Sequence, residues 1–81
     1  MMTNVYAIFD KVAKEVSLSL MMSKDDELII RTLKTCKLTE IIEGNLADFE
    51  LYQVGTLDTE RPSLCSLEIP KFVCNLEAIR K

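Results

Sequence analysis

The stretch Ala47-Asp48-Phe49-Glu50-Leu51-Tyr52-Gln53-Val54-Gly55-Thr56-Leu57-Asp58 decides the fold. Its polarity alternates, it carries aromatic and β-branched residues, and it runs into a glycine and a polar turn. That is the profile of a β-strand entering a hairpin. Phe49 and Leu51 project to one face, Tyr52 and Val54 to the other. Apolar groups on both faces place the strand near the middle of a sheet, covered on both sides. Gly55 interrupts the pattern, as a residue at a bulge or a close backbone approach does.

Working back toward the start, Thr3 to Phe9 reads as another strand, with Val5, Ala7 and Phe9 on one face and Tyr6 and Ile8 on the other. Glu15 to Met21 sets Val16, Leu18 and Leu20 opposite Ser17 and Ser19, an amphipathic strand. Lys11 to Lys14 is short enough to join the two as an antiparallel hairpin. A helix through Lys11–Val16, capped by Asp10, competes with this; the strict alternation from Val16 to Leu20 favours the strand.

Ser23 to Leu38 is the clearest helix. Ser23 is a good N-cap, and Asp25, Asp26 and Glu27 suit the positive end of the helix dipole. Lys34 and Lys37 lie near the negative end. At about 100° per residue, Ile29, Leu33 and Cys36 share one side with Ile30 at its margin, while Lys24, Arg31 and Lys34 gather opposite. Ile41 and Ile42 either extend this helix or begin a connection, and Gly44-Asn45 is a turn signal.

Beyond the central strand, Asp58 to Ser63 supplies a hairpin loop in which Arg61-Pro62 stops strand continuation. Leu64 to Glu68 then returns as a short strand. Pro70 fits the first position of a last helix, with Phe72, Val73, Leu76 and Ile79 at helical spacing, although β-structure is an alternative there. The expected fold is α+β: residues 1–81 as one domain, with a small antiparallel sheet of about four strands, one main amphipathic helix packed on it, and a short C-terminal helix.

A chain of 81 residues supports one modest core. At this size a metal, disulfides or a partner subunit often adds stability. There is no histidine, and Cys36, Cys65 and Cys74 show no short paired spacing, so no metal and no cofactor is expected. An odd cysteine count fits a reducing cytosol better than a disulfide framework. Oligomerisation is therefore the expected staple, and the chain is read as a homo-oligomer. The apolar stretch Leu18–Met22, broken by Ser19, is far too short to span a membrane, and no signal-peptide pattern opens the sequence.

Catalysis has little support. No histidine offers a base near neutral pH. The cysteines sit among apolar neighbours, which favours inert buried thiols over nucleophiles. Asp25-Asp26 reads as a solvated helix start and not a cation site, and Asp10, Asp48 and Asp58 as strand-end or turn residues. The only glycines, Gly44 and Gly55, make no phosphate-cradling loop. No catalytic residue is assigned, and the chain is not read as an enzyme.

A formal charge of −3 argues against a strongly basic nucleic-acid binder but leaves room for a local basic face. Lys24, Arg31 and Lys34 form such a ridge, which Lys11, Lys14, Lys71, Arg80 and Lys81 can join in three dimensions. A charged outer helix face is also ordinary solvation. Tyr6, Phe9, Phe49, Tyr52 and Phe72 are the aromatics available to stack bases, although a small core claims most of them.

The segments Val5-Tyr6-Ala7-Ile8-Phe9-Asp10, Arg31 in the helix, Asp48-Phe49-Glu50-Leu51-Tyr52-Gln53-Val54-Gly55-Thr56-Leu57-Asp58 and Pro70 occur in an order that covers most of the chain. In this it resembles the small nonstructural protein of the gokushoviruses, single-stranded DNA phages of the microvirus family (Microviridae). Phe49, Val54 and Leu57 stand where that family tends to tyrosine, leucine and phenylalanine, and Glu15–Met22 lacks its usual proline. The resemblance implies a DNA-binding protein of phage genome replication in the host bacterial cytoplasm, favouring single-stranded synthesis and packaging over continued double-stranded replication. Charge then assigns Lys24, Arg31 and Lys34 to phosphate without reading sequence, and Tyr6 or Tyr52 is the residue to stack a base. The rival reading is a small dimeric protein–protein module that docks on a viral replication or capsid-assembly protein.

Overall fold

Asp10 sets the first hairpin. In the computed structural model, which describes residues 1–80 apart from the side chains of Leu18 and Ser19, β1 (Met2–Asp10) and β2 (Glu15–Ser23) pair antiparallel across the Lys11–Lys14 turn. The Asp10 carboxylate accepts the amides of Val12 at 2.9 Å and Ala13 at 3.1 Å, while its carbonyl accepts Lys14 N–H at 2.7 Å. Lys14 closes the turn with a left-handed φ of 58°. Asp10 thus caps a turn and not a helix. Of the expected alternation in β2, Val16 and Leu20 are exposed, and Leu18 and Ser19 lie outside the described side chains.

α1 spans Asp26–Thr35 and begins later than expected. Its N-cap is Asp25, whose carboxylate accepts Leu28 N–H at 2.8 Å. Ser23, the expected cap, is the last residue of β2 and donates its hydroxyl to the Asp25 carbonyl at 3.2 Å. α2 (Glu40–Gly44) is a separate turn of helix with Thr39 as its cap, and a 3₁₀ turn over Leu46–Asp48 delivers the chain into β3 (Phe49–Asp58). That turn takes up Ala47 and Asp48, so the strand starts at Phe49.

The largest departure concerns the end of the chain. β4 runs over Ser63–Asn75 and passes through Pro70; α3 starts only at Leu76 and ends at Arg80. The strand order is β2-β1-β3-β4, so β4 is an edge. Its register jumps from Lys71 opposite Gln53 to Ser66 opposite Gly55, which leaves residues 67–70 looped out of the ladder. A proline fits there because no partner needs its missing N–H. The side-chain carbonyl of Asn75 then accepts Glu77 N–H at 2.9 Å and opens α3.

The core lies on one side of the sheet. Tyr6, Ile8, Phe49 and Leu51 pack with Ile29 and Leu33 of α1, Ile42 of α2 and Leu76 of α3. Each such side chain contributes roughly 1.5–3 kcal/mol when fully buried. Along β3, Phe49, Leu51, Gln53 and Gly55 are buried, whereas Glu50, Tyr52 and Val54 are only half-buried. The α+β class and the antiparallel four-stranded sheet hold. The expectation that both faces of β3 are covered does not: the helices of the core cluster pack on one face, and the other keeps its apolar residues open.

Candidate nucleic-acid interface

The outer side of α1 follows from the packing of its inner side. Ile29 and Leu33 are buried and Ile30 is half-buried, which turns Leu28, Arg31 and Lys34 outward. Lys24 precedes the helix by two residues and falls in line with Arg31. All three cations are exposed. Lys24 and Arg31 border a shallow depression of about 230 Å³, together with Asp25, Glu27 and Leu28. Carboxylates are therefore interleaved with the ridge, and its field is local.

Three of the seven other basic residues serve the fold. Lys71 reaches across to Asp26 at 3.1 Å, and Lys11 lies 3.7 Å from Glu50. Arg80 donates to the carbonyls of Leu33 at 2.8 Å and Cys36 at 2.6 Å, closing the C-terminal end of α1, and pairs with Glu43. These three do not extend the ridge. Lys14 stays exposed on the β1–β2 turn, and Lys81 lies outside the described residues.

Asp26 has a role that its sequence position did not reveal. Its carboxylate accepts the Tyr6 hydroxyl at 2.6 Å, and Asn4 donates to the same hydroxyl at 3.0 Å. The Tyr6 bond first, partly offset by burial and then aided by Lys71, holds the Asp26 carboxyl below its ordinary pKa. Burial first, then the bond to Asp26, pushes Tyr6 up to about 12. The only sequence signal was a tyrosine on the inward face of a strand, which must find a partner for its hydroxyl.

The aromatics divide cleanly between the two faces. Tyr6 and Phe49 are at most 1% exposed and unavailable for stacking. Phe9, Tyr52 and Phe72 form a row across β1, β3 and β4 on the open face, with ring centroids 6.2 Å and 5.7 Å apart in edge-to-face geometry. The Tyr52 hydroxyl donates to Glu50 at 3.0 Å, which raises its pKa. Beside the row lies a hollow of about 360 Å³ lined by Ala7, Phe9, Val16, Tyr52, Val54 and Pro70. Tyr52 thus sits on the opposite side of the sheet from Lys24, Arg31 and Lys34. The fold gathers the three cations and separates the tyrosine from them.

The cysteines differ from their expected uniform burial, since Cys65 is exposed and Cys36 and Cys74 are half-buried. Burial, reinforced by the Asp26 charge, pushes the Cys74 thiol up. Among the described residues, no group of three cysteine, aspartate or glutamate side chains is placed to hold a metal ion, and no helix is long and apolar enough to cross a membrane.

A family model described as Phage ORF5 protein matches residues 3–79. The chain belongs to the phage ORF5 protein family. The match runs from β1 into α3, a span that includes both the cationic ridge and the open sheet face. No curated protein and no solved structure matches the chain.

Proposed function

We propose that this ORF5-family protein is a nonstructural DNA-binding protein of a gokushovirus-type phage of the Microviridae, acting in genome replication in the host cytoplasm. It binds single-stranded DNA without reading sequence and favours single-stranded synthesis and packaging. One observation carries this reading: Lys24, Arg31 and Lys34 stand exposed along one side of α1, while Lys11, Lys71 and Arg80 are engaged by carboxylates within the fold. Cations held on a rigid helix, away from structural ion pairs, are available to displace counterions from phosphates. Membership in a phage family and the resemblance of the β1 and β3 segments support the same direction.

Tyr52 does not belong to that surface. A base stacked on it would come from a strand crossing the far side of the sheet. The phosphate contacts are therefore assigned to the ridge alone, without Tyr52. Fluorescence anisotropy with a labelled single-stranded oligonucleotide tests the assignment. The triple variant Lys24→Ala, Arg31→Ala, Lys34→Ala is expected to lose binding at least tenfold while keeping its circular dichroism; equal affinity of the two proteins would overturn it.

The open apolar face favours a second reading, a dimeric module that docks on a replication or capsid-assembly protein. The same triple variant separates the two, because partner capture through the sheet would survive it.

A further inference from the structure

The least explained feature is the bare side of the sheet. The molecule is 18 Å thin along its shortest axis, room for one sheet and one layer of helices. On the uncovered side, Val16 and Phe72 are each 52% exposed and Met22, opposite Val5, is 61% exposed. None of the six residues lining the adjacent hollow is charged. Of the two lysines nearest in the strand register, Lys11 is paired with Glu50, which also accepts the Tyr52 hydroxyl on this face, and Lys71 with Asp26 on the helix side.

We infer that a second copy of this chain covers this face, the two sheets stacking about a two-fold axis with each Phe72 set into the hollow of the other protomer. The inference rests on the fold and not on the DNA reading. Three arguments select this occupant. First, a hollow lined by six uncharged residues, with the adjacent Glu50 paired to Lys11, is matched by a surface of the same kind, and a two-fold arrangement brings the patch against itself. Second, the area suffices. Four strands about 4.8 Å apart and about nine residues long at about 3.3 Å each give a flat footprint near 570 Å². Two such faces together bury about 1,140 Å², above the roughly 1,000 Å² that a specific interface needs. Third, a nucleic acid on this face would need cations for its phosphates, and the neighbouring lysines are engaged. Stacked sheets sit about 10 Å apart, the spacing of a sandwich core. Such a dimer leaves both α1 helices, with their cations, on its two outer surfaces.

Sedimentation equilibrium of the full chain from about 1 to about 100 µM tests this, because dimer fraction follows protomer concentration. The expected mass is twice 9.2 kDa at the upper end. Phe72→Lys and, separately, Val16→Lys are expected to shift the dissociation constant at least tenfold toward monomer with unchanged circular dichroism. Should either variant fail to fold, the other and the wild-type mass still decide. A wild-type monomer throughout overturns the inference, as does a dimer that both folded variants leave intact. A monomer that binds oligonucleotide and loses it on Phe72→Ala overturns it too, giving the face to bases instead.

Discussion

The Tyr6 hydroxyl donates to the Asp26 carboxylate across 2.6 Å, fastening the middle of the sheet to the first turn of α1. The bond works in both directions of titration. Tyr6 is raised to about 12 in the folded state from an ordinary value of 10.0. Its contribution is therefore fully present below pH 10 and is lost as pH rises toward 12, because the unfolded chain releases the proton first. Urea unfolding from about pH 9 to about pH 12 should show stability falling by on the order of 2 kcal/mol from this group. Tyr6→Phe should remove that portion of the decline.

Asp26 behaves in the opposite sense. Its pKa is lowered, first by the Tyr6 bond and then by Lys71. The stabilisation it gives is present above the unfolded carboxyl pKa and disappears as pH falls through the folded one. Asp26→Asn should flatten the acid limb of the stability curve and lower stability at neutral pH by about 1–2 kcal/mol, since a charge-assisted bond is replaced by a neutral one.

Arg80 ties the last helix to the end of α1. It holds the carbonyls of Leu33 and Cys36, which the helix itself leaves unpaired, and pairs with Glu43. Arg80→Ala should cost about 1–3 kcal/mol in chemical denaturation. Arg80→Lys should recover only part, because one ammonium cannot reproduce the planar fork. Equal stability of Arg80→Ala and the parent would show that the clasp contributes nothing.

Gly55 lies directly under the backbone of β4. A β-carbon there would overlap the Cys65 carbonyl oxygen and approach Ser66 Cα to 3.3 Å. Alanine usually favours a strand over glycine. Here Gly55→Ala should instead destabilise by about 2 kcal/mol or more, since a backbone atom and not a flexible side chain must yield. Thermal unfolding measures the sign directly.

Much of this architecture is legible in the residues, and the failures share causes. The alternation through Phe49, Leu51 and Gln53 marks the central strand, and Gly55 marks the close approach, because both signals are local. The end of β4 misleads because Pro70 is a good helix-opening residue in isolation; only the edge position and the looped-out residues 67–70 make it acceptable in a strand. Asp25 displaces Ser23 as the N-cap because β2 extends through Ser23, which depends on its pairing with Asn4. The apolar pattern of Tyr52 and Val54 predicts cover on both faces, whereas the chain's own helices cover only the Phe49 and Leu51 side, because pattern alone does not say where the helices pack. Of the candidate site, helical spacing gathers Lys24, Arg31 and Lys34 correctly, whereas the engagement of Lys71 and Arg80 requires tertiary contacts at sequence distances of 45 and 44 residues.

The claim that the α1 ridge contacts phosphate is tested most directly by the salt dependence of single-stranded DNA binding. Three phosphate contacts on a single strand give a slope of log Kobs against log salt near −2, at about −0.7 per contact. We expect that slope for the wild type and a value near zero for the variant lacking Lys24, Arg31 and Lys34. Folded protein that fails to bind even at low salt, or an unchanged slope in the variant, would contradict the account.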